Sequence, residues 1–152
     1  MSGVALLALL ALAEAALTPA YVIATGDAGY IHWESDAVRY RIQVDGSDDL
    51  SDGSDILATK AAFSEWNDVS CAAIQLVFDG LTATMDAGDE TGAGDGMNLV
   101  VWREDTAAWV AAGNSPSYYA LTTLSFDRWT GSIRDADIEV NGAFHTFTAA
   151  DD

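Results

Sequence analysis

Basic residues are scarce in this chain. Six Lys and Arg stand against 24 Asp and Glu, a net charge of -18 over 152 residues. That balance excludes the positive footprint that nucleic-acid binding requires. Cysteine occurs once, at Cys71, which excludes an internal disulfide. Beside Ala72 and Ala73 it reads as a small buried hydrophobe rather than a nucleophile. Histidine occurs twice, at His32 and His145, and neither stands in a His-Glu-x-x-His setting. His32, next to Trp33, reads as a packed surface residue, and His145, next to Phe144, as a surface group of a hairpin. There is no Gly-x-Ser-x-Gly elbow, no phosphate loop and no paired-cysteine ribbon. These 152 residues therefore supply no complete catalytic constellation.

No apolar run is long enough to span a bilayer, so no stable membrane insertion is expected. The run Val4 to Leu12, followed by small residues and Thr18-Pro19-Ala20, reads as a secretory h-region and cleavage zone. Residues 1–20 are expected to be a signal peptide of a secreted, extracellular protein, and residues 21–152 the folded domain. A hydrophobic content of 50% argues against disorder, and the length suits one domain. The acidity suits a soluble surface and also attracts divalent cations.

Val38-Arg-Tyr-Arg-Ile-Gln-Val44 alternates strictly between apolar and polar, the pattern of a half-buried strand. From Ser54, the expected N-cap, Ile56, Thr59, Phe63 and Trp66 recur on one helical face, widened by Ala62 and Val69. Ile74 to Phe78, Met97 to Trp102, Ala120 to Phe126 and Ala136 to Asn141 read as further strands, and the uniformly apolar Met97–Trp102 as a central one. Ala107 to Pro116 reads as irregular. Asn141-Gly142 signals a hairpin, with Ala143 to Phe147 as a short returning strand. The expected fold is α/β, a mixed, mostly parallel twisted sheet of about five strands with one long helix packed on it.

Two Gly/Asp loops stand out, Asp45–Asp55 and Asp86–Gly96, and the first invites a calcium reading. The first fails as an EF-hand, because Leu50 and Thr59 stand where oxygen ligands belong. It reads as a solvated turn. Asp135, Asp137 and Glu139 are spaced by two along a strand, and like charges that close repel unless water or a cation separates them. Two readings stay open for this trio: a structural calcium site, or a solvent-facing strand.

Trp33 ahead of Tyr40-x-Ile42, the helix segment Ala62-Phe-Ser-Glu-Trp66 with Val69, and Gly131-Ser-Ile-Arg-Asp-Ala-Asp-Ile138 lie in the order found in matrixin-like (metzincin) zinc metallopeptidases, and the chain resembles that family over residues 30–150. The resemblance implies the N-terminal part of a metzincin-like catalytic domain, incomplete because the His-Glu-x-x-His-x-x-Gly-x-x-His helix is not among these residues. It implies a zinc-dependent endopeptidase parent, with zinc ligands outside this chain, in which metal-activated water hydrolyses the peptide bonds of a peptide or protein substrate. It also implies that Leu121, Thr122, Thr123 and Leu124 form the substrate-binding edge strand. The animal enzymes carry a structural-zinc histidine where Asp137 stands, so calcium or no metal is expected there. This chain alone is expected to be inactive. The alternative is a non-enzymatic, acidic, calcium-binding extracellular module.

Overall fold

The computed structural model describes residues 24–27, 29–88 and 94–149. The apolar run at Val4–Leu12 lies outside the described residues. A two-stranded hairpin, β1 (Thr25–Gly26) and β2 (Gly29–Tyr30), precedes the main body. The body comprises β3 (Ala37–Gln43), α1 (Ser54–Asn67), β4 (Gln75–Thr82), β5 (Asn98–Arg103), α2 (Thr106–Ala111), β6 (Ala120–Phe126) and β7 (Ile133–Asn141). The five long strands form one sheet in the order β4-β3-β5-β7-β6. Neighbours pair in parallel except β6, which runs antiparallel to β7 at the edge.

The alternation holds from Val38 to Ile42 and then breaks, with Gln43 buried and Val44 exposed. Val38, Tyr40 and Ile42 are buried while Arg39 and Arg41 reach outward to Asp79. β5 lies centrally, and Leu99, Val100, Val101 and Trp102 are all buried, as a strand covered on both faces requires. The core on one face joins Tyr40, Ile42, Val100 and Trp102, with Ile56 and Phe63 of α1 packed against them. The rings of Tyr40 and Phe63 lie 4.0 Å apart.

Several sequence expectations are corrected. α1 starts from Gly53, whose φ of 75° turns the chain into the helix, and Ser54 is the first helical residue rather than the cap. Its stripe is narrower than expected: Ile56 and Phe63 reach the core, while Trp66 is 66% exposed. The segment read as irregular contains α2, nucleated by Asp105, whose carboxylate accepts the N–H groups of Ala107 and Ala108. The described residues therefore hold a second, short helix besides α1. Cys71 is exposed, in the turn after α1. No strand forms over 143–147. The Asn141 side chain makes a turn there instead, donating to Tyr118 O and accepting from Phe144 N–H.

Candidate functional site

β7 places Asp135, Asp137, Glu139 and Asn141 on the face opposite α1, by simple alternation. Asp135 and Asp137 are fully buried there, 1% and 0% exposed. Gly88 and Gly94, between β4 and β5, lie over them. A Cβ built on Gly94 would lie 2.5 Å from Asp135 Cβ, so glycine is needed for the loop to pass this close, and its φ of 73° adds a second reason. Gly88 lies over Asp137 and Thr123.

Asp137 Oδ1 accepts the Leu99 N–H at 2.8 Å. The backbone N–H of Gly88 faces Asp137 and that of Asp95 faces Asp135, and each draws the carboxyl pKa down. Burial outweighs these donors. It pushes Asp137 up to about 6, helped by the charges of Asp135 and Asp95, and it raises Asp135 as well. Asp135 Oδ1 and Asp137 Oδ2 are buried and have no hydrogen-bond partner among the described residues. Two buried carboxyl groups with orphaned oxygens are costly in a low-dielectric site unless a proton or cation joins them.

The third expected member is elsewhere. Glu139 pairs with Arg103, which leaves the β5 end on the same face. The register sets this pairing, with Glu139 opposite Val101 and Arg103 two residues further on. Among the described residues no group of three His, Cys, Asp or Glu side chains is placed to hold a metal ion. The site is thus a two-carboxylate floor under a glycine-rich roof. Nothing in its spacing distinguished Gly88, Gly94 and Asp95 from an ordinary turn, and only the covering loop reveals them.

The two histidines are far apart. His32 bridges to Ser132, just before β7, and His145 follows the end of β7, so the nine residues of that strand, roughly 30 Å, separate them. His145 stacks on Tyr119 with ring centroids 4.0 Å apart. They form no zinc site with each other.

β6 presents the second feature. Asn141 N–H donates to Tyr119 O, so Tyr119 addresses β7, and by alternation Ala120, Thr122 and Leu124 direct their backbone groups outward. No strand pairs with that side among the described residues. Of the four residues expected to bind substrate, Thr122 and Leu124 thus offer free backbone, while Leu121 and Thr123 bond inward. At the opposite edge the Asn67 amide caps β4 at one residue near its start, donating to Leu76 O at 3.0 Å and accepting Leu76 N–H at 2.7 Å. The face beside β6 is also open. Trp33, Phe63, Val100, Thr122 and Ile138 line a groove of about 150 Å³ next to α1.

No family model matches this chain, and no curated protein and no solved structure matches it. No helix among the described residues is long and apolar enough to cross a membrane.

Proposed function

We propose that these residues form the sheet-bearing part of a secreted zinc metalloendopeptidase domain of the matrixin type. The observation that carries this reading is β6, the one antiparallel strand of the main sheet, standing at an edge with outward backbone groups free beside an apolar groove. An extended peptide gains main-chain hydrogen bonds by adding to such an edge. The groove suits a helix laid alongside α1. Zinc does not fit the residues present, because His32 and His145 stand at opposite ends of β7. The reading therefore requires a histidine-bearing helix from sequence other than these 152 residues.

Asp135 and Asp137 support a calcium ion as a structural clamp in the same domain. Hard carboxylate oxygens without partners suit that ion. This pair also favours the second reading, a calcium-binding extracellular module with no catalytic role.

One experiment separates the two. Reading the coding frame past codon 152 is expected to reach His-Glu-x-x-His-x-x-Gly-x-x-His within about 25 codons, and the product spanning that helix is expected to hydrolyse peptides in a zinc-dependent way. A frame without that helix, or a helix-bearing product with no zinc-dependent hydrolysis, sinks the peptidase reading.

A further inference from the structure

Another buried carboxylate lies on the opposite side of the sheet, and the peptidase reading makes no use of it. Asp55, in the first turn of α1, is 5% exposed. Its Oδ2 accepts the Ser47 N–H at 2.6 Å. Gly46 makes this approach possible, since its φ is 64° and any Cβ there would overlap the carboxylate. The other oxygen, Oδ1, is buried and has no hydrogen-bond partner among the described residues.

Asp55 lines a cavity of about 280 Å³, whose other walls include Leu50, Thr59, Trp102, Val140 and Phe147. The position is telling. β3 and β5 are neighbours, yet the chain leaves β3 toward β4 and leaves β5 toward β7 and β6. Open α/β sheets hold ligands at such a switch point, outside the carboxyl ends of the strands. The cavity lies next to that switch point rather than in it, near the carboxyl ends of β5 and β7 and beside Leu50 of the loop that leaves β3. An apolar pocket with a single convergent polar group is the usual form of a small-molecule site.

The chemistry narrows the ligand. It must bring a donor and positive charge to one oxygen, and an aliphatic body to the walls. A metal ion would find no third carboxylate or imidazole among the described residues, and apolar walls would leave its oxygen shell unfilled. A guanidinium prefers two parallel carboxylate oxygens, and Oδ2 is already engaged by Ser47. A compact ammonium needs one. We propose that this cavity binds an aliphatic primary amine, with its ammonium on Asp55 Oδ1 and its alkyl chain against Trp102, Val140 and Phe147. The net charge of -18 raises the local concentration of any such cation. The proposal is independent of the peptidase reading.

The test uses the full chain followed by NMR, with n-pentylammonium as probe, n-pentanol as its neutral counterpart and N-acetyl-lysine amide as a protein side-chain mimic. Pentylammonium is expected to bind with a Kd on the order of 1 mM and pentanol about 10-fold more weakly. The shifts are expected at Thr59, Trp102 and Phe147. Binding of the lysine mimic as well assigns the site to a lysine side chain. Binding of pentylammonium without it assigns a free amine. Asp55→Asn is expected to remove the preference for the ammonium over the alcohol. Ala62→Leu, which narrows the cavity and keeps the carboxylate, is expected to weaken both ligands, and it carries the test if Asp55→Asn does not fold. No binding, alcohol bound as tightly as ammonium, shifts confined to other parts of the chain, or unchanged affinities in the folded variants each overturn the proposal.

Discussion

Asp137 concentrates the chemistry of the covered face into one side chain. Its pKa lies at about 6 in the folded chain against an ordinary value of 3.8, chiefly through burial. A carboxyl with a raised folded pKa favours folding when protonated. Its contribution is therefore fully present below about pH 4 and is lost as pH rises through 6, on the order of 3 kcal/mol in the metal-free chain. Urea midpoints measured at pH 5 and pH 7 with chelator present should fall more steeply for the wild type than for Asp137→Asn. Parallel curves for the two would remove the burial penalty from the account. Calcium should reverse the trend at pH 7, neutralising the ionised carboxylates and raising Tm by several degrees at millimolar concentration. That rise should vanish in Asp137→Asn, and an equal rise in both proteins would place calcium elsewhere. The spacing of Asp135 and Asp137 was legible in the sequence, because strand alternation alone puts them on one face. The departure of Glu139 to Arg103 was not, since it depends on which residue of β5 lies beside it.

The edges of the sheet differ. Asn67 satisfies both backbone groups of Leu76 and so caps the start of the β4 edge. Asn67→Ala should leave those groups partnerless and lower stability by about 1–3 kcal/mol, measured by urea unfolding. A loss below a few tenths would mean that water replaces the amide at no cost. β6 carries no such cover. Amide hydrogen exchange in the presence of an extended apolar peptide should slow at Ala120, Thr122 and Leu124, whose backbone points outward, and leave Leu121 and Thr123 unchanged. Protection spread evenly over all five would exclude strand addition there. β6 itself was readable from Ala120 to Phe126, and β3 from its alternation, because period-two patterning is local. α2 was hidden, since its six residues carry no periodic apolar stripe and only the Asp105 cap starts them. The returning strand expected after Asn141-Gly142 failed because the Asn141 side chain bonds across to Tyr118 and Phe144 and turns the chain away.

Across the whole molecule, the excess of negative charge sets the behaviour. Four of the five arginines are in ion pairs on open surface, where such pairs contribute little, and they neutralise a small part of the acidic excess. Self-repulsion opposes the compact state, and salt screens it, the Debye length falling from about 10 Å at 0.1 M to about 3 Å at 1 M. Tm should rise by several degrees between 0.05 and 1 M KCl, an effect on the order of 1–2 kcal/mol. A flat or falling Tm would show that the carboxylates are too well spaced to repel. Sequence alone determined the acidity, the lack of a histidine set, the identity of the strands and the two-residue spacing of the aspartates, since each follows from composition or from a local period. Tertiary structure alone decided which aspartates lose their water, which edge Asn67 caps and where Asp55 meets a cavity. Each of those depends on what a distant segment brings over the side chain, and burial is a property of the neighbours rather than of the residue.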